Sequence, residues 1–183
     1  MIVVFDAFGT LVKASNRTNP YGRLNRKCDS NMHRDFMTQN KTLQQFCEQV
    51  GQQGMYPNLA HLLQQELENI ELFADVVPTL EALRGRGIKV GLCSNLAHGY
   101  GARVRQLLPD MSAYIMSYEV GCRKPEPQIY ENVCSALSCK AKDVLFVGDS
   151  EKADVIGPKE FGMRSFHLQR DAGIDLNALL RKI

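Results

Sequence analysis

Asp6, Ser94, Lys124 and Asp149 are the residues whose types and positions best suit chemistry, because each closes or follows a short apolar run. Ile2-Val3-Val4-Phe5 ends in Asp6, Val90-Gly91-Leu92-Cys93 ends in Ser94-Asn95, and Val144-Leu145-Phe146-Val147-Gly148 ends in Asp149, while Tyr114-Ile115-Met116 leads through a turn to Lys124. In an open parallel sheet ligands bind beyond the carboxyl ends of the strands, so polar residues placed there are site candidates. A carboxylate can attack an electrophile covalently. A second one beside it invites a hard, oxygen-seeking cation such as Mg2+. A hydroxyl and an ammonium then meet the negative charge that a transferring phosphoryl group accumulates. Taken singly, each residue has a plainer role. Asp6 precedes the turn formers Gly9 and Thr10, Ser94-Asn95 is a common helix-cap pair, Lys124 before Pro125 suits a solvated loop, and Asp149-Ser150 can cap a helix at Lys152 with Asp154 in its first turns. Four such placements in strand order point to one cluster.

The elements that must position this cluster alternate along the chain. Short apolar runs at 2–5, 88–93, 114–116, 144–147 and 165–168 read as strands, and amphipathic stretches at 77–84, 100–108, 127–137, 152–161 and 176–182 read as helices. That alternation predicts an α/β fold: a three-layer, Rossmann-like core with a parallel sheet, because each right-handed crossover requires a helix. Residues 14–73 break the pattern. They are rich in Asn, Gln, Arg and Lys and carry helical spacing at 43–50 and 59–72, where Leu59, Leu62, Leu63, Leu67 and Ile70 share one face. Residues 14–35 have few apolar anchors and read as a long loop or a loosely packed helix. The expected organisation is therefore a core of residues 1–13 and 74–183, interrupted by a small helical subdomain over 14–73.

Composition narrows the function classes. The 183 residues are 44% hydrophobic and 23% charged, the balance of a globular protein with a buried core. Lys and Arg number 22 against 20 Asp and Glu, a net charge of +2 that supplies no field to gather nucleic acid or an anionic membrane. A small-molecule substrate is the expected partner, and the oligomeric state is not legible. The chain opens directly into an apolar run stopped by Asp6, and no run approaches the roughly 20 residues of a membrane span. The six cysteines show no C-x-x-C pair and read as reduced, packing thiols, so a cytoplasmic protein is expected.

Phe5-Asp6-Ala7-Phe8-Gly9-Thr10-Leu11, Cys93-Ser94-Asn95, Arg123-Lys124-Pro125-Glu126-Pro127 and Val147-Gly148-Asp149-Ser150 with Asp154 resemble the four ordered motifs of the haloacid dehalogenase-like hydrolase superfamily. The resemblance runs from residue 1 to about 168, and the motifs are specific together although each is weak alone. The insertion after the first motif is similar to that family's all-helical cap, though short. The resemblance implies Asp6 as nucleophile, Ser94 and Lys124 as catalytic groups that stabilise phosphate or intermediate, and Asn95 with them in substrate binding. It further implies a Mg2+ site built from Asp6, the backbone carbonyl of Phe8, Asp149 and Asp154.

One position departs from the family's phosphatases, which usually carry a second Asp two residues after the nucleophile; this chain has Phe8 there. Such an acid typically contributes about 10²- to 10⁴-fold. An aromatic at this place is similar to the dehalogenase branch, whose halide leaving group needs no proton, and cap arginines (Arg17, Arg23, Arg26, Arg34) would suit a carboxylate substrate. Against that, the acid pair Asp149 and Asp154 suits a metal and thence phosphate. The favoured expectation is a Mg2+-dependent phosphohydrolase acting on a small phosphorylated metabolite through an aspartyl-phosphate. The alternatives are a 2-haloacid dehalogenase using Asp6, and a degenerate binding protein of the same fold. His98, just after Ser94-Asn95, could reach the site as an alternative proton donor, although a solvated helix-start histidine is the favoured reading.

Overall fold

The computed structural model describes residues 1–28 and 30–183. Five strands, β1 (Ile2–Phe5), β4 (Lys89–Ser94), β5 (Ala113–Met116), β6 (Val144–Gly148) and β7 (Arg164–His167), form one sheet in the order β5-β4-β1-β6-β7, every neighbouring pair parallel. The first strand is thus central, flanked by the two strands whose ends carry Ser94 and Asp149. Its unbroken apolar run follows from burial on both faces. Val3 and Phe5 join one core with Leu80 and Leu83 of α5 (Val76–Gly85), Val104 of α6 (His98–Leu107) and Leu176 and Leu179 of α10 (Leu176–Leu180). Ile2 and Val4 point the other way, into a core with Ile129, Tyr130, Val133 and Leu137 of α8 (Pro127–Leu137). This alternation is the two-residue period of a strand, and it makes the three layers expected of an α/β fold.

The helices between residues 20 and 68 build a separate packing unit. Helices α1 (Pro20–Asn25), α2 (His33–Thr38), α3 (Leu43–Gln49) and α4 (Tyr56–Glu68) bury Tyr21, Leu24, Phe36, Phe46 and Leu59 against one another, with Ala97 of the sheet-bearing part closing the cluster. Thr42 starts α3 with a reciprocal cap, accepting from the Gln45 N–H while the Gln45 side chain accepts from the Thr42 N–H. The sparsely anchored stretch 14–35 resolves into α1 and the start of α2. Asn19 begins α1 in the left-handed region (φ 53°), its side chain accepting from the Gly22 N–H, with Pro20 in the first helical turn.

Two elements differ from their sequence reading. Residues 70–72, expected to continue a helix, form β3 (Ile70–Leu72), which pairs antiparallel with β2 (Val12–Ala14). Asn69 ends α4, and the chain then runs back alongside its own outgoing segment. The expected helix at 152–161 is a π-helical turn (Glu151–Ile156) followed by α9 (Gly157–Glu160). Pro158 has no N–H to complete the regular ladder, and the wider turn absorbs the loss. A helix α7 (Ser117–Val120) follows β5 directly and leads to the loop bearing Lys124.

Candidate active site

The carboxyl ends of the three central strands bring the sequence-predicted residues together. The backbone N–H of Asp6 donates to the Val147 carbonyl at 2.9 Å, carrying the ladder one residue past β1 and fixing where the carboxylate emerges. Asp6 is 8% exposed. Its Oδ1 accepts from Ser94 Oγ at 2.8 Å and from Lys124 Nζ at 2.7 Å, while Oδ2 has no hydrogen-bond partner among the described residues. The Lys124 ammonium also donates to Asp154 Oδ1 at 2.6 Å and lies over the Phe146 ring, 5.2 Å from its centre. Asp154 Oδ2 accepts from the Ser150 N–H at 3.0 Å, so both its oxygens are engaged by the protein.

Asn95 also has partners within the protein. Its side chain accepts from the Lys124 N–H at 2.8 Å and donates to the Lys124 carbonyl at 2.9 Å. It therefore clamps the backbone of the loop that presents the ammonium. Two glycines allow the close approach of these motifs. A side chain at Gly9, where φ is +78°, would run into the Asp149 carboxylate, and one at Gly148 would collide with Asp154.

The electrostatics report an excess of negative charge. Burial pushes the Asp6 carboxyl above its ordinary value, opposed by Lys124 and reinforced by Asp154. Burial alone would depress the Lys124 ammonium, but Asp6 and Asp154 outweigh it and hold the group well above the usual lysine range. Asp149 is raised by burial and then by the charge of Asp6. Asp6, Asp149 and Asp154 each offer a carboxylate oxygen, all within 4.8 Å of one another, around one ammonium. An all-oxygen set of this kind fits a hard divalent cation, which offsets the repulsion among its carboxylates.

Next to this cluster lies a cavity of about 510 Å³ between the inserted helices and the sheet. Asn95 and Phe8 reach its wall from the sheet side, and Tyr21, Phe36 and Glu66 from the helices. Phe8, at the place of the missing acid, packs edge-on against Tyr100, with ring centres 5.8 Å apart. Of the four arginines singled out by sequence, only Arg17 lines the cavity. Arg23 donates to the Thr18 carbonyl and Arg34 pairs with Glu126 at 3.0 Å. His98 stacks edge-on against Tyr118 and is not among the cavity residues. Cys93, beside the site, is fully buried, and burial pushes its thiol up to about 12, which makes it a packing residue.

The model of the haloacid dehalogenase-like hydrolase family matches residues 1–162, in the order in which the motifs converge here. The chain belongs to that family. Among relatives, a glyceraldehyde 3-phosphate phosphatase of Methanopyrus kandleri is 28% identical over 54% of this chain and 43% of its own length. A (S)-2-haloacid dehalogenase of a Pseudomonas species is 26% identical over 62% of this chain and 51% of its own. The chain thus spans about half the length of these relatives. Further relatives carry phosphatase names. Among solved structures, a haloacid dehalogenase family enzyme of Bacteroides thetaiotaomicron in complex with magnesium and inorganic phosphate covers 98% of both chains with a TM-score of 0.74 at 19% identity, a likeness of fold. No helix among the described residues is long and apolar enough to cross a membrane.

Sequence reasoning passed over Glu66 and Tyr100 in the cavity wall. Glu66 had a signal. It falls three to seven residues from Leu59, Leu62 and Leu63 and four before Ile70, on the apolar stripe of α4, where a carboxylate is out of place.

Proposed function

We propose that this haloacid dehalogenase-like hydrolase is a Mg2+-dependent phosphohydrolase acting on a small phosphorylated metabolite, with residues 14–73 serving as the cap over its site. The observation that carries the reading is the trio Asp6, Asp149 and Asp154 gathered within 4.8 Å. A dehalogenase needs an unencumbered carboxylate, whereas a cation beside Asp6 would drain its nucleophilicity. When bound, Mg2+ would be held by Asp6, Asp149, Asp154 and the Phe8 carbonyl, and would supply charge neutralisation for the phosphoryl oxygens.

The chain's own residues do the rest. Ser94 and Lys124 hold Asp6 Oδ1, which leaves Oδ2 as the oxygen free to attack phosphorus. The P–O ester bond breaks as the Asp6 O–P bond forms, giving an aspartyl-phosphate, and water then releases phosphate and restores the carboxylate. The Lys124 ammonium and the Ser94 hydroxyl are the positive charge and donor at the transferring group. Asn95 keeps Lys124 in place. Phe8 can neither donate nor accept a proton, so the departing oxygen must take its proton from solvent. Aryl phosphates, whose leaving groups need little protonation, are therefore expected to react faster than alkyl phosphates.

A side-by-side assay of an aryl phosphate and a 2-haloacid, each with Mg2+ and with chelator, tests the reading. Phosphate release that chelator abolishes is the expected result. Chelator-insensitive halide release would overturn it in favour of the dehalogenase reading, which Phe8 and the aromatic cavity favour. Silence on both with retained metal binding would leave a binding protein.

A further inference from the structure

The cavity contains a carboxylate that phosphoryl transfer does not use. Glu66 lines it and is 6% exposed. Its Oε2 accepts from the Tyr100 hydroxyl at 3.1 Å and lies 3.3 Å from the Thr18 hydroxyl, whose single proton has a shorter contact of 2.9 Å with the Leu62 carbonyl. Its Oε1 has no hydrogen-bond or ion-pair partner among the described residues. A carboxylate is an acceptor on both oxygens, and Oε1 is not sealed from solvent, so a donor arriving in the cavity can reach it. The surroundings specify the rest of that donor's molecule. Tyr21, Phe36, Tyr100 and Phe8 present rings to the same space, which favours a compact apolar or aromatic body. Asp6 is not itself in the lining, but Phe8, two residues on, and Asn95, next to the Asp6 partner Ser94, line this space from the sheet side, and Glu66 lines it from the helix side.

We propose that Glu66 is a specificity-determining residue, selecting substrates whose organic part bears a hydrogen-bond donor, a hydroxyl or an ammonium group, that docks on Oε1 while the phosphate end faces Asp6. The inference rests on the phosphohydrolase reading only for the identity of the reacting end. The plainer role for Glu66 is a latch joining α4 to α6 through Tyr100. The two roles part company in how variants act: a latch affects all ligands alike, whereas a recognition group affects only those with the donor.

Three benzylphosphonates bearing para aminomethyl, hydroxymethyl or ethyl groups, titrated calorimetrically into the full chain with Mg2+, separate them. Phosphonates are not hydrolysed, so the measurement stands whether or not the protein releases phosphate from esters. A parallel phosphate-release assay reports separately on the chemistry. The two donor-bearing compounds are expected to bind about tenfold tighter than the ethyl compound. Their order relative to each other tells a charge contact from a neutral hydrogen bond. Glu66→Gln, equal in volume but offering an N–H₂ in place of an acceptor oxygen, should bring the ratio close to one. Thr18→Val removes a latch bond from outside the cavity lining and should leave the ratio standing. Equal binding of the three compounds, no binding of any, a ratio indifferent to Glu66→Gln, or its equal loss in Thr18→Val would overturn the proposal; the wild-type ratio alone decides if the Glu66 variant does not fold.

Discussion

The cleft at the strand ends and the cavity beside it are built on opposite terms. In the cleft, Ser94 Oγ, Lys124 Nζ, both oxygens of Asp154 and the side chain of Asn95 each have a protein partner, and the groups project from neighbouring strands or their immediate loops. In the cavity, the walls are largely rings, Glu66 keeps an oxygen unpaired and Arg17 reaches the lining from an exposed linker. The difference teaches how labour is divided. A paired, buried network fixes geometry for a reaction common to many substrates, while groups left without partners are the ones a particular substrate can claim.

The comparison breaks most directly at Asp6. Asp6→Asn keeps the shape and the Ser94 and Lys124 contacts, so the fold should persist, while turnover falls by on the order of 10⁴-fold, as when an enzyme loses a central catalytic group. Steady-state phosphate release with a circular dichroism control measures both. Phe8→Asp tests the border between the two regions. It restores an acid at the leaving group and should raise hydrolysis of an alkyl phosphate by about 10²-fold, with a smaller gain for an aryl phosphate. No gain would mean that the proton is already supplied by another route.

Stability should divide along the same line. Phe46 is fully buried among the inserted helices and packs edge-on against Phe36 at 4.9 Å. Phe46→Ala should cost ~3–5 kcal/mol locally. Hydrogen exchange should then show α1 to α4 opening while β1, β4 and β6 keep their protection. The smallest effect is alkaline. Burial pushes both Tyr21, in the helices, and Cys93, in the sheet, up to about 12, from ordinary values of 10.0 and 9.0. The folded state favours their neutral forms, so these contributions are intact below the ordinary values and are lost as pH rises toward about 12. Denaturation midpoints should therefore fall from about pH 9 upward. Tyr21→Phe should remove the part of the decline that begins near pH 10.

What could be read from the sequence follows physical lines. The sheet was legible because its central strands are apolar on both faces and stop at polar residues, and those stops make up the candidate site: Asp6, Ser94 and Asp149. Lys124 lies 118 residues from Asp6, and only the strand order brings it there. The ribbon of β2 and β3 was not legible, since three residues such as Val12-Lys13-Ala14 carry too short a period to be told from a loop or a helix end. The hold of Asn95 on the Lys124 backbone, 29 residues away, was not legible, because nothing local announces such a partner. Glu66 was overlooked because the pattern was sought in leucines, although a charge interrupting an apolar stripe was the more informative sign.

That short ribbon has an architectural consequence. The chain leaves the sheet-bearing part through Val12–Ala14 and returns through Ile70–Leu72, the two lengths lying side by side, with Arg170 pinned to the Thr10 carbonyl and to Asp75 at their base. Whatever is spliced between them begins and finishes at the same doorway. Helices can be added, shortened or exchanged there without shifting a single rung of the central ladder, so a lineage can revise its choice of molecule while the reacting groups stay where they are.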